Sequence, residues 1–310
     1  MDDIISEDDI SYKTLPEIYA ATERLDKVKL VPLMYDDGGV TKTSNNLRGV
    51  FNISQGKLCA AVAPFYNLVS YKQYIDSFAD SLDRLGIPFS MKIAQTPSKC
   101  ICDINFEGRN LKFENLNEEF GTGIRLVNSY NKSTGLHIMP RFTRLACTNG
   151  MIVTRTVETF SIKHSSKMAQ EIENIIEKKI AEIISSSKDL QEWVSSSMAD
   201  SIEWKNICAI IEKLFNQPKH REKILEKLGI SMIQVKKKSR KNKVSKTEYS
   251  YVMEKEGVEK ITRWQLYNCI TEYLTHGEQI TPFLESVMQK QAEKLLYTKL
   301  EKMPMAEIRI

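Results

Sequence analysis

Apolar and polar positions alternate with a period of two through much of the first half of the chain. The spacing then changes to that of a helix near residue 160. The densest strand-and-turn signal runs from Asn128 to Met151. Ile124, Leu126 and Val127 lead into it. Asn131, Lys132, Ser133, Thr134 and Gly135 supply turn chemistry. Leu136, Ile138, Met139, Phe142 and Leu145 mark a returning strand, and Thr148-Asn149-Gly150 reads as the turn that closes it. Two further strand pairs precede this hairpin: Val50–Ile53 with Leu58–Ala63, and Pro88–Ala94 with Lys99–Phe106. Gly108-Arg109-Asn110 reads as a turn after the second pair. Between the pairs, Tyr74, Ile75, Phe78, Leu82 and Leu85 follow a helical period. Ser70 and Gln73 form the signature of a capping box, and Gly86 stops the helix.

Residues 1–48 are weakly patterned and read as an N-terminal extension. A short helix is allowed between Tyr12 and Leu33, with turns at 36–39 and 44–46. Residues 49–160 form the sheet region. Residues 161–310 read as helical, with a basic loop at 235–247. Met168, Ile172, Ile175, Ile176 and Ile183 stripe a long helix. A second helical stretch carries Trp193, Trp204, Ile207, Ile211, Leu214 and Phe215. Pro218 opens a new segment that ends before Gly229, and Tyr249 to Gly257 reads as a connection. Helix Ile261–Leu274 carries Trp264, Tyr267, Ile270 and Tyr273, and Thr281-Pro282 starts a last helix. The expected class is α+β: a mostly antiparallel N-terminal sheet with a flanking helix, and a helical C-terminal half packed against it.

Composition changes this picture in one place. The 310 residues are 42% hydrophobic and 27% charged, ordinary for a chain with a real core. No run of apolar residues is long enough for a membrane span, and the acidic start MDDIISEDDI is unlike a secretory signal. The expectation is a cytoplasmic protein with no membrane partner. The net charge of +4 is unevenly placed. Lys236 to Lys246 holds seven basic residues and no acid, so the rest of the chain carries −3.

Candidate chemistry for catalysis is sparse. The four histidines have no metal-ligand spacing, and phosphate-loop, dinucleotide and nucleophile-elbow motifs are absent. Cys100 and Cys102 would share one face of a strand, but no second close pair completes a zinc set. Asp76, Asp80 and Asp83 lie off the apolar stripe of their helix and read as solvated. The expectation is no cofactor, no metal and no catalytic residue.

Asn128-Ser129-Tyr130, Arg144-Leu145-Ala146-Cys147-Thr148-Asn149-Gly150-Met151 and the helix WQLYNCITEY from Trp264 to Tyr273 carry a resemblance. In this order they resemble the phage/plasmid-like family built on uncharacterised domain 932, over roughly residues 49 to 296. Asn131-Lys132 departs from the acidic residue and glycine that the family often has there. The resemblance implies a protein of phages, plasmids or integrated elements, and no settled activity.

The leading expectation is a nucleic-acid-binding accessory protein of a mobile element, acting on single-stranded DNA in replication or recombination. Lys236, Lys237, Lys238, Arg240, Lys241 and Lys243 would displace counterions from phosphates. Arg125, Tyr130, Arg141 and Arg144 on the central hairpin would supply cations and a stacking face. A homo-oligomer, a scaffold or host-interaction protein, and an undetected enzyme are the alternatives. Trp264 is expected to be buried with Tyr267 and Ile270 against the sheet.

Overall fold

The computed structural model describes residues 10–113, 118–145, 149–152, 160–162, 187–237, 246–253 and 260–276, with short pieces of 174–182 and 280–292. It is α+β, with the larger antiparallel sheets in the first half and most helices in the second. The chain divides into two compact units. One comprises residues 1–146 and 152–187, the other 147–151 and 188–310.

The first unit opens with helix α1 (Leu15–Thr22), whose Thr14 and Glu17 form a capping box around a first-turn proline. Strands β1 (Val28–Asp37), β2 (Val40–Asn52) and β3 (Lys57–Val62) form an antiparallel sheet in that order. The region read as a weakly patterned extension is therefore a helix and most of two strands. The β1–β2 turn does fall at Gly38-Gly39, where both residues have positive φ, as a two-residue hairpin turn demands. The turn expected at Ser44-Asn45-Asn46 is instead a register shift inside a continuous β2, between the pairs Pro32↔Arg48 and Met34↔Thr43.

Helix α2 (Tyr71–Arg84) is capped as its sequence predicts: Ser70 Oγ accepts from the Gln73 amide, and Gln73 Oε1 accepts from the Ser70 amide. Asp80 and Asp83 are exposed, as expected, whereas Asp76 is half-buried. Asp76 accepts from Thr22 at 2.7 Å and pairs with Lys72 at 2.7 Å, and Asp80 accepts from the Tyr19 hydroxyl, so both tie α2 to α1. The missing signal was α1 itself, too short for a clear stripe.

The main sheet is built from β4 (Phe89–Gln95), β5 (Lys99–Phe113), β6 (Glu118–Ser129), β7 (Leu136–Arg144), β8 (Asn149–Ile152) and β9 (Phe160–Ile162). Its order is β4-β5-β6-β7-β8, with β9 also on β7. Asn149 and Gly150 thus lie in a strand; β7 ends at Arg144 with a turn at Leu145, and Thr148 falls outside the described residues. Gly108-Arg109-Asn110 is no terminal turn either. It belongs to a bulge in β5, where the pairing jumps from Asn105↔Gly123 to Asn110↔Gly121. The sheet region expected to end at residue 160 runs on to Ile162 in β9. Of the long helix, residues 174–175, 178 and 181–182 are helical, and the remaining stripe lies outside the described residues.

One face of the sheet is a core layer. Met91, Cys100, Cys102, Ile104, Ile124, Leu126, Ile138 and Phe142 are all buried, as are Tyr71, Tyr74, Phe78 and Leu82 of α2. Asn52 joins the N-terminal strands to this sheet, donating to Asp26 at 2.7 Å and to the Pro97 carbonyl at 3.0 Å.

The second unit contains α3 (Ser187–Ala199), β10 (Ser201–Glu203), α4 (Trp204–Leu214), α5 (Pro218–Lys227), β11 (Ile230–Lys237), β12 (Lys246–Met253), β13 (Lys260–Thr262) and α6 (Arg263–His276). Strands β10 and β13 pair over three residues, and β11 and β12 form a separate two-stranded antiparallel ribbon. Residues 201–203 break the helical stretch expected from Trp193 to Phe215, since three residues are too few to show a period of their own. Trp264, Tyr267 and Ile270 are buried. The aromatic neighbour of the first two is Trp193 of α3, edge-on at 5.6 Å and 5.2 Å, a helix rather than the sheet. Phe215, His220 and Tyr273 form another aromatic cluster, in which the His220 ring nitrogen meets the Tyr273 hydroxyl.

Candidate nucleic-acid interface

Strand register fixes the surroundings of the hairpin arginines. Asp103 of β5, Arg125 of β6 and Met139 of β7 are successive cross-strand partners, so their side chains share the face opposite α2. Arg125 donates two parallel bonds to Asp103, from Nε at 2.5 Å and from Nη2 at 2.6 Å, and its side chain is only 1% exposed. Arg141 reaches the same carboxylate at 3.5 Å and also donates to Asn105 at 2.7 Å and Thr143 at 3.0 Å. Burial opposes ionisation of Asp103, but the Arg125 and Arg141 guanidinia outweigh it and hold its carboxyl below the usual range. Gly123, the register partner of both Asn105 and Arg141, lies between them. A Cβ there would lie 2.1 Å from the Ile104 carbonyl oxygen, so this close backbone approach requires glycine. Arg144 makes a second fork, on Glu118, at 2.6 Å and 2.5 Å.

Tyr130 is also interior, 1% exposed. Its ring stacks on Tyr71 at 3.8 Å, and its hydroxyl accepts from the Tyr71 amide at 2.8 Å. The expected stacking surface is therefore corrected. Arg125 and Tyr130 have no exposed face to offer a strand, and Arg141 and Arg144 are committed to carboxylates. The sequence holds one clue to these partners: Asp103 is a lone acidic residue inside an otherwise apolar strand run, whereas Glu118 stands beside Glu119 and carries no such mark.

Cys100 and Cys102 do share a buried face beneath α2. Burial pushes the Cys100 thiol up to about 12 and Cys102 well above its usual value, so both pack as neutral thiols. Among the described residues, no three His, Cys, Asp or Glu side chains group as metal ligands.

The basic segment has a different setting. It was expected as a loop at 235–247, but Ile230↔Met253 through Lys237↔Lys246 form eight antiparallel register pairs. Lys236 and Lys237 are strand residues, and Lys238, Arg240, Lys241 and Lys243 lie outside the described residues. The segment after Lys246 is β12, not a weakly structured connection. At the base, Ile230 is buried and the Tyr251 hydroxyl donates to Glu212 of α4; burial and this carboxylate raise the Tyr251 pKa well above its usual value. Arg221 of α5 stands 3.8 Å from the same carboxylate and donates to the Phe215 and Asn216 carbonyls. One face of the ribbon base is thus anchored. Ile233 (49% exposed), Ser250 and Val252 (46%) occupy alternate register positions and are open. Among the described residues, no helix is long and apolar enough to cross a membrane.

These features define an α+β protein with an ion-paired central sheet and a separate basic ribbon. The chain belongs to the family described as Domain of unknown function (DUF932), whose model matches residues 108–300, from the bulge in β5 into the C-terminal helical stretch. No curated protein and no solved structure matches the chain.

Proposed function

We propose that the protein binds nucleic acid through the β11–β12 ribbon, chiefly by phosphate contacts from the basic run. One observation carries this reading: seven cations and no acid between Lys236 and Lys246, a run whose first two residues and last residue pair in a ribbon fastened to α4. Such a concentration of charge releases condensed counterions from a phosphate backbone, which drives association. The hairpin arginines and Tyr130 no longer support the reading, because their side chains are engaged in the first unit. Such a protein would serve as an accessory factor in replication or recombination of a mobile element, the setting that the family resemblance suggests.

The test is a salt series of binding to labelled DNA by the wild-type chain and by a variant with Lys236, Lys237, Lys238, Arg240, Lys241 and Lys243 replaced by glutamine. Three or four lost phosphate contacts should flatten the log–log slope by about two to four units, at roughly 0.7 to 0.9 per contact. An unchanged slope, or weak wild-type binding at low salt, rejects the ribbon as the interface.

A further inference from the structure

We propose that the open face of the β1–β2–β3 sheet packs on the same face of a second copy of this chain, closing a two-fold dimer. The surface lies within the first unit and does not depend on the ribbon. The two faces of this sheet are unlike. Val50, Asn52 and Val62 turn inward and are at most 1% exposed, and Asn52 bonds to Asp26 and to the Pro97 carbonyl. The other face is apolar and open. A Cβ at Gly49 would lie 2.6 Å from Leu58 Cδ1 and 3.0 Å from both Leu33 Cδ2 and Val31 Cγ2, so three apolar side chains meet over one backbone position. Phe51, the register partner of Leu58, stands beside them. Leu58 is 47% exposed and Tyr35 52%.

The occupant follows from the order of charges along β1. Alternation puts Lys29, Val31, Leu33, Tyr35 and Asp37 on the open face, with an exposed cation and an exposed anion on either side of three apolar positions. Read in reverse, the series keeps its apolar centre and exchanges its charges, and Leu33 is the midpoint. A two-fold rotation about Leu33 therefore brings Lys29 of each chain against Asp37 of the other, Val31 against Tyr35, and Leu33 against itself. This is the self-complementarity that an isologous contact needs. Packed sheets lie about 10 Å apart, a gap that a flexible lysine stem and a carboxylate span together. Lys42 holds Asp37 Oδ2 at 2.5 Å across the hairpin, an exposed pair that leaves Oδ1 for the second copy. Three strands about 4.8 Å apart and about 26 Å of β1 make a small face, so the dimer is micromolar rather than obligate.

The decisive measurement is sedimentation velocity of the full chain over about 1–100 μM, which should show a monomer–dimer equilibrium. Leu33→Lys sets two ammonium groups on the two-fold axis and should weaken self-association about tenfold or more at unchanged melting temperature. If that variant melts low, Tyr35→Lys, at a position already half open, replaces it. Lys29→Glu alone and Asp37→Lys alone each bring like charges together and should weaken the dimer about threefold to tenfold. Combined in one chain, they restore opposite charges at both contacts and should return the affinity to within about twofold of wild type. A wild-type monomer throughout the range leaves the face to some other partner and overturns the proposal. So does an assembly indifferent to Leu33→Lys, or a combined exchange that binds no tighter than either single variant.

Discussion

The arginines of the β6–β7 hairpin and the lysines of the β11–β12 ribbon carry the same charge in opposite circumstances. Arg125 and Arg141 converge on Asp103, and Arg144 forks onto Glu118. Their charges are consumed by the fold. The segment Lys236–Lys246 contains no acidic residue at all. The difference teaches that a cation in a strand run says little about ligands until its cross-strand partner is known. A planar guanidinium matches a carboxylate with two parallel bonds, so arginine is the natural choice for an interior pair. An ammonium on a flexible stem suits a diffuse phosphate lattice.

The comparison breaks most sharply at Asp103. Asp103→Asn leaves Arg125 buried with its bidentate partner neutralised, and should lower stability by about 3–5 kcal/mol in urea unfolding. A near-neutral result would mean that the arginines are not structural. Trp264→Ala asks the corresponding question of the second unit. Loss of an aromatic side chain packed on Trp193 should also lower stability by about 3–5 kcal/mol, with a change in tryptophan fluorescence.

Gly123→Ala should have a smaller effect, about 1–3 kcal/mol, because β5 and β6 must separate to relieve a Cβ placed 2.1 Å from the Ile104 carbonyl oxygen. Its melting temperature should fall while the ribbon's DNA affinity per folded molecule holds. The pH dependence sharpens the same point. The folded-state pKa of Asp103 is depressed, so its contribution is fully present above the ordinary carboxylate range. It is lost as pH falls through that range towards the lower folded value. Acid titration of unfolding should show this loss in the wild-type chain and a flatter acid limb in Asp103→Asn. The least effect on stability belongs to the six-glutamine variant of the ribbon, under about 0.5 kcal/mol per substitution. A large drop in its melting temperature would show that the basic run is structural after all.

How much was legible beforehand follows from which residues carry a local signal. Helix α2 was readable to its caps because Ser70, Gln73, five apolar positions and Gly86 all act within one element. The β6–β7 hairpin was readable because its turn residues sit between two alternating runs. Strands β1 and β2 were not, since exposed alternation over Val28–Asp37 and Val40–Asn52 leaves little apolar period to detect. The ribbon was hidden by its own charge: lysines, serines and an asparagine read as loop, whereas pairing with Lys246–Met253 makes Lys236 and Lys237 strand residues.

The sequence by itself determined the α+β class, the capped helix, the main hairpins, the kinship and the concentration of positive charge, because each depends on residues close together in the chain. Only the tertiary structure decided which cations remain for a ligand. Asp103 meets Arg125 across 22 residues, and Arg144 meets Glu118 across 26. Such pairs arise from strand register, a long-range property that no local period encodes. The same register turned Tyr130 inward against Tyr71 and left Ile233, Ser250 and Val252 on the open side of the ribbon.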